Sequence, residues 1–213
     1  KYQYNKNIEL IFFTENHGFT KGINRVIREY ILIDNFKYIV LLNNDTIVEE
    51  DWLNNLIKSA EKNKADIVSS KIIDFHQRDK LHTTGLKMLN TGEILSIGRG
   101  EDIDLYNESY VPIGACGAAS LHRLDMMKKI GIFDEYFNTG YEDAEYGLRA
   151  FISGYKILYE PNATVYHKIS ASIDKVIDYK YLLKINLDIN YTYLKLMPLP
   201  VIIYNSPFFI FRT

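Results

Sequence analysis

Residues 37–46 read KYIVLLNNDT, an apolar run of β-formers that stops abruptly in three polar side chains and a threonine. The run has the length and composition of a buried strand rather than a helix. Upstream, residues 8–13 (IELIFF) form a second such run. Between the two, residues 20–33 place Ile23, Val26, Ile27, Tyr30 and Ile31 at helical spacing. Strand, helix, strand with a crossover of this length implies parallel strands. Downstream, residues 49–63 carry Trp52, Leu53, Leu56, Ile57 and Ala60 on one helical face, and residues 66–73 follow as a third strand. The pattern predicts an α/β domain with a mostly parallel sheet flanked by helices.

After residue 81 the rhythm changes. LKMLNTGEILSIG has a turn signal at Asn90, Thr91 and Gly92 between apolar runs, which predicts a small antiparallel hairpin. An extended segment over 110–121 leads to helices near 125–129 and 142–153, the latter stopped by Gly154. Residues 155–159 and 163–167 read as two strands on either side of Pro161, and residues 174–196 as a helix broken by Pro198 and Pro200. The expected division is a domain over 1–172 and a helical, apolar tail over 173–213.

Composition narrows the function classes. The 213 residues are 47% apolar and 24% charged, as in an ordinary globular protein, and no uninterrupted apolar stretch is long enough to span a bilayer. A net charge of -2 supplies no overall positive field for a nucleic-acid backbone, so nucleic acid is not expected as a partner. The single cysteine, Cys116, can form neither an internal disulfide nor a cysteine zinc cluster, which suits a reducing, cytoplasmic compartment.

Three places could carry chemistry. Asn43, Asn44 and Asp45 stand at the carboxyl end of a strand, the edge where open α/β sheets bind ligands, and Asp45 suits a hard divalent cation. The same residues also suit a turn or a helix cap. Glu142, Asp143, Glu145 and Arg149 crowd the start of a helix, where a carboxylate can act as a general base or simply complement the helix dipole. His167 ends a strand, as a metal ligand or a structural residue. The GACG of residues 114–117 fits a close backbone approach or a bulge, and Cys116 has no local activator as a nucleophile. No P-loop, G-x-S-x-G or H-E-x-x-H occurs.

In order, ENHGFTKGIN (15–24), LLNNDT (41–46), PIGACGAASLHR (112–123), IGIFDEYF (130–137), YEDAEYGLRAFISGYKILYEP (141–161) and ATVYHKISAS (163–172) resemble the family 2 glycosyltransferases of GT-A fold, in particular their rhamnosyltransferase-like branch. The resemblance implies inverting, metal-dependent transfer of a sugar, rhamnose among the options, from a nucleotide diphosphate sugar to a glycan or lipid-linked glycan in surface polysaccharide synthesis. It makes Asp45 and His167 the contacts of Mg²⁺ or Mn²⁺, and Asp143 the base with Glu142 as helper or rival. Asn16, Gly18, Lys21, Gly22 and Asn44 fall on the nucleotide diphosphate side, and Gly114, Ala115 and Cys116 on the wall near the transferred sugar. The alternatives are a sugar-phosphate nucleotidyltransferase and an inactive remnant or carbohydrate-binding module.

Family members ordinarily begin with a VSVIIVTYN-type strand and a second strand ending in DNxSxD. This sequence starts after both, which predicts a fragment or degenerate copy whose sheet is split at its centre between residues 8–13 and 37–42. The apolar tail, LKLMPLPVIIYNSPFFIFRT, is interrupted by prolines and suits a membrane interface at the inner face of the cell membrane, packing on the domain, or a homodimer contact.

Overall fold

The apolar run becomes strand β1 (Tyr38–Leu42) in a computed structural model that describes residues 8–31, 36–138, 140–168 and 179–210. Before it lies helix α1 (Gly18–Ile31). After it the chain turns through Asn44 and Asp45 into β2 (Thr46–Val48), α2 (Trp52–Asn63) and β3 (Ile67–Asp74). Helix α2 buries Trp52, Leu56, Ser59 and Ala60, the stripe that its 3.6-residue period presents to the sheet. It ends where Lys64 takes a left-handed backbone conformation and its N–H returns to the last turn.

β4 (Leu81–Thr83), β5 (Leu86–Met88) and β6 (Ile94–Ser96) follow, with β5 and β6 forming the hairpin that Asn90 to Gly92 predict. Then come β7 (Ala119–Arg123), α3 (Leu124–Ile130), α4 (Glu142–Ile152) and β8 (Ile157–His167). Two helices close the described chain, α5 (Tyr179–Leu196) and α6 (Leu199–Ile210). The main sheet has the order β1-β7-β3-β8-β2, with β4 paired to β3.

β3 is buried on both faces, and its alternation supplies two cores. Val68 and Ile72 point toward α2, packing with Trp52, Leu56, Ala60, Leu121 and Val165, whereas Ile67 joins Ile27, Met126, Met127, Phe133 and Tyr146 on the other side. At about 25 cal/mol per Å² of apolar area, each fully buried aliphatic side chain contributes on the order of 2 kcal/mol to holding these layers together. Of the polar residues inside β3, two have side-chain partners: the Trp52 indole donates to Ser70 Oγ at 2.9 Å and Lys71 Nζ donates to Asn107 Oδ1 at 3.0 Å, whereas the buried Ser69 hydroxyl has none among the described residues.

Four expectations are corrected. Residues 8–13 form no strand, and Phe12 is 81% exposed. A six-residue apolar run becomes a strand only beside a free sheet edge, and here Phe13 packs locally instead, edge-on to His17 and under the Arg25 guanidinium. Among the described residues the sheet is consequently not split at its centre; it is continuous and β1 forms one edge.

The sheet is also mixed rather than mostly parallel. The crossover through α2 does give β1 and β3 the same direction, but β7 inserts between them antiparallel to both, so that β3 and β8 are the parallel neighbours among the described residues. Residues 155–159 and 163–167 contribute to one strand, β8, rather than two. Opposite the Ser70–Lys71 step the pairing jumps from Glu160 to Thr164, because Pro161 has no N–H for the ladder and the chain bulges past it. The helix expected to stop before Pro198 does end at Leu196, and helical structure resumes at Leu199. Pro200 sits in the first turn of α6, where a missing N–H costs nothing. The predicted helix start at residues 174–178 lies outside the described residues, and no helix among those described is long and apolar enough to cross a membrane.

Candidate active site

Two carboxylate centres meet along the edge of the sheet formed by the ends of β1, β3 and β8. The first grows from LLNNDT. β1 ends at Leu42, the Asn43 N–H donates to Ala118 O at 2.9 Å, and Thr46 Oγ1 donates back to Asn43 O at 2.6 Å. This tight turn aims Asp45 at β8, since Thr46 and His167 are register partners in the β2–β8 pairing. Asp45 Oδ1 stands 3.1 Å from His167 Nε2.

Behind them, His167 Nδ1 lies 3.1 Å from Nδ1 of His82 on β4. Burial, then the charge of His167, hold His82 down to about 4, so it stays neutral at ordinary pH. A neutral His82 can either donate to or accept from His167, and so can support either tautomer of that ring. Sequence reasoning missed His82. Its alternation in a three-residue strand was too short a signal to read.

Asp45 and His167 fit a divalent ion. Mg²⁺ and Mn²⁺ are commonly held by one or two protein ligands, with water and substrate phosphate completing the shell. Among the described residues no group of three or more His, Cys, Asp or Glu side chains converges on a metal position, so the pair fits an ion shared with a phosphate ligand rather than a closed protein cage.

The second centre is the start of α4. Tyr141 caps the helix with a left-handed backbone (φ 74°), a conformation that non-glycine residues adopt only when their surroundings hold it. Its hydroxyl, accepting from the Ile94 N–H at 3.0 Å, supplies that hold and ties the hairpin to α4. Asp143 Oδ2 accepts from the Gly117 N–H at 2.9 Å. Burial raises the Asp143 carboxyl above its usual range although the Gly117 and Ala144 amides oppose it. Glu142 is 6% exposed, its Oε2 has no partner, and burial together with the Asp143 charge raises it as well. The two acids therefore compete for one proton.

Residues 114–117 serve this centre in different ways. Gly114 packs backbone to backbone against Gly147 of α4: a Cβ on Gly147 would lie 2.5 Å from Gly114 Cα and 3.0 Å from Ile113 O. Ala115 faces the core with Ile67 and Tyr146. Cys116 bonds to Asp143, and burial and that carboxylate push its thiol well above the ordinary range, in keeping with a wall rather than a nucleophile. Behind Asp143, His122 is buried against Phe133 and Tyr146, 2.9 Å from Ser120 Oγ, and burial holds it down to about 4.

Glu145 and Arg149 belong to the scaffold. Glu145 is 0% exposed, takes two bonds from Arg149 at 2.8 and 3.0 Å, and accepts from Lys195 of α5 at 2.8 Å. Arg149 also donates to the Ile130 and Ile132 carbonyls, and Lys195 to Asp134. With Tyr191 stacked on Tyr136 at 3.9 Å, these contacts clamp α5 to α4. The sequence pattern of α4 could not reveal the clamp, because Lys195 comes fifty positions later.

On the other flank, a groove of about 550 Å³ runs between α1 and β1, lined by Phe19, Gly22 and Ile23 and ending at Asn43, Asn44 and Asp45. Asn16 Oδ1 accepts from the Gly18 N–H at 2.9 Å at the start of α1, and Phe19 and Thr20 donate to Asn138 O. Gly18 (φ 75°) is required there, since a Cβ would meet Asn138 Oδ1 at 2.6 Å. Gly22 therefore faces the groove, while Lys21 is exposed on the helix. The groove and Asp143 meet through residues 117–118: Gly117 lies between Phe19 and Asp143, and Ala118 carries the bond to Asn43.

The family model described as Glycosyltransferase like family 2 matches residues 1–180. No curated protein matches the sequence. Among solved structures, the fold is similar to a crystal structure of GalNAc-T7 with UDP, GalNAc and Mn²⁺, with a TM-score of 0.58 at 12% identity over 73% of this chain. The matched region makes up 31% of that structure's chain, so this chain spans about a third of its length. A likeness at that identity establishes the fold, a GT-A arrangement of mixed sheet and flanking helices.

Proposed function

The chain belongs to glycosyltransferase-like family 2, and from that premise we propose that it moves a sugar from a nucleoside diphosphate donor to an acceptor hydroxyl with inversion at the anomeric carbon. The observation that carries this reading is the shared edge: Asp45 and His167 at one end, Asp143 at the other, joined by the Asn43 to Ala118 and Gly117 to Asp143 hydrogen bonds.

In this reading the nucleoside lies in the groove between α1 and β1, with its diphosphate toward Asn44 and Asp45. Asp45 and His167 hold Mg²⁺ or Mn²⁺, which when bound neutralises charge on the departing diphosphate. Asp143, with its basicity raised by burial and its orientation set by the Gly117 amide, takes the proton of the acceptor hydroxyl. The acceptor oxygen bonds to the anomeric carbon as the carbon–oxygen bond to phosphate breaks, and the nucleoside diphosphate leaves with that electron pair. Glu142 keeps its own proton and so leaves Asp143 as the charged partner. The fold neighbour crystallised with UDP and Mn²⁺ supports the donor class.

The substrates proposed are a nucleotide sugar, rhamnose included among those to be tested, and a glycan or lipid-linked glycan of the cell surface. Exposed Leu199, Ile203 and Tyr204 on α6 support contact with a membrane interface at the cytoplasmic face. The test is donor hydrolysis and transfer over a panel of nucleotide sugars, with and without Mn²⁺ or Mg²⁺, beside Asp45→Ala and Asp143→Asn. The expected result is metal-dependent release of nucleoside diphosphate. Asp45→Ala should lose donor binding, while Asp143→Asn keeps it and loses about 10²- to 10⁴-fold in turnover. A folded protein that binds no donor would favour an inactive remnant or a carbohydrate-binding module.

A further inference from the structure

A cavity of about 360 Å³ opens beside β4, lined by Asp74, His76, Gln77, Lys80, His82 and Arg99 but by neither Asp45 nor His167. It is built by backbone: the Asp74 N–H donates to Lys80 O, the Gly100 N–H donates to Leu81 O, and Gly98 and Gly100, both at φ 76°, let the chain fold back over β4.

On the cavity's own lining two cations, Lys80 and Arg99, stand against one carboxylate, Asp74. Asp74 accepts from the His76 and Gln77 amides at 2.7 and 3.0 Å, so its carboxylate caps its own turn. Glu101 accepts from the Tyr106 hydroxyl, and Asp102 from the Asp104 amide. Lys80 and Arg99, by contrast, have no side-chain hydrogen bond or ion pair among the described residues. Two further cations stand at the same end of the sheet, Arg78 over the Tyr166 ring and Lys168 over the Phe75 ring. A lysine and a guanidinium lining one polar cavity without carboxylate partners make a site for an anion, and a phosphate oxygen accepts from both.

The cavity meets the Asp45–His167 end through His82, whose ring stands against His167, and through Asp74, the register partner of His167 in the β3–β8 pairing. It lies on a different flank from the α1–β1 groove, which ends at Asp45 itself. We propose that this cavity holds the phosphate of the acceptor, so that the acceptor is a glycosyl phosphate, free or carried on a lipid. The proposal rests on the glycosyl-transfer reading for the word acceptor; the anion site stands on its own charges.

The test uses the whole chain and the double variant Lys80→Ala/Arg99→Ala. Three titrations are run: glucose 1-phosphate in solution, phosphatidylglycerol vesicles against phosphatidylcholine vesicles, and UDP with Mn²⁺. Expected is binding of glucose 1-phosphate or of phosphatidylglycerol, weakened at least about tenfold in the double variant, with UDP and Mn²⁺ affinity within about twofold of the parent. Binding in the first arm assigns a free sugar phosphate, and binding confined to the vesicle arm assigns a lipid headgroup. No phosphate binding by the parent in either arm overturns the proposal. So does a double variant that loses UDP and Mn²⁺ in equal measure, since the cavity would then belong to the donor. A parent that binds glucose 1-phosphate but not UDP with Mn²⁺ keeps the anion site, sinks the glycosyl-transfer reading and removes the acceptor role.

Discussion

Replacing Gly147 by alanine tests the packing that positions Asp143, the proposed base. In most helices this change stabilises by up to about 1 kcal/mol, because alanine loses less backbone entropy on folding. Here the new Cβ would sit 2.5 Å from Gly114 Cα and 3.0 Å from Ile113 O, where carbon atoms prefer about 3.5–4.0 Å. Both neighbours are backbone, so no side chain can rotate away, and α4 must part from residues 113–114 by roughly 1 Å. Overpacking of this kind costs about 1–3 kcal/mol, with the upper end appropriate for a rigid backbone contact. Offset by the helix gain, the net destabilisation should be about 1–2 kcal/mol. Separation also pulls the Gly117 N–H from Asp143 Oδ2, so turnover should fall further than stability alone explains. The comparison is Gly22→Ala, in helix α1 with open space at the Cβ position, which should raise stability by about 0.5–1 kcal/mol. Urea unfolding of both variants with the parent measures the difference. Equal effects at the two glycines, or a stabilised Gly147→Ala, would refute the close approach of α4 to residues 113–114.

Other consequences follow from the same site. Native Glu142 holds its proton to higher pH than the unfolded carboxyl, whose pKa is about 4.3, so stability falls as pH rises from that value toward the native one. Glu142→Gln removes this slope and should gain on the parent between about pH 5 and pH 7, by no more than about 1.4 kcal/mol per pH unit; parallel pH curves would contradict it. Lys195→Met should cost about 1 kcal/mol, discounted because Lys195 is one-third exposed, whereas Arg149→Met should cost about 3 kcal/mol by leaving the buried Glu145 with Lys195 alone and the Ile130 and Ile132 carbonyls without their donor. The order of the two urea midpoints checks this. Cys116 should alkylate with iodoacetamide at least about tenfold more slowly in the native protein than in urea, since burial and Asp143 hold it as the thiol; rapid native labelling would show an open site.

Much of the architecture was legible before any coordinates. The apolar run at 38–42, the stripe of α2, the turn at Asn90 to Gly92 and the start of α4 are local patterns, each set by side-chain period or turn chemistry within a few residues. Asp45, Asp143 and His167 could be singled out as reactive types at the ends of such elements. Residues 8–13 misled because an apolar run carries no information about whether a sheet edge lies beside it. The bulge at Pro161 misled because a break in sequence pattern need not break the strand when the partner strand continues.

The chain by itself thus determined most of the helices, the central strands and the placing of Asp45, Asp143 and His167 at element ends, because these follow from contacts a few residues apart. Tertiary structure alone decided that β7 would enter between β1 and β3, that His82 would back His167, that Gly114 would meet Gly147, and that Lys195 would clamp Glu145. Each of those pairings joins residues 33 to 85 positions apart, and is chosen by how whole layers bury their apolar faces together rather than by any local preference.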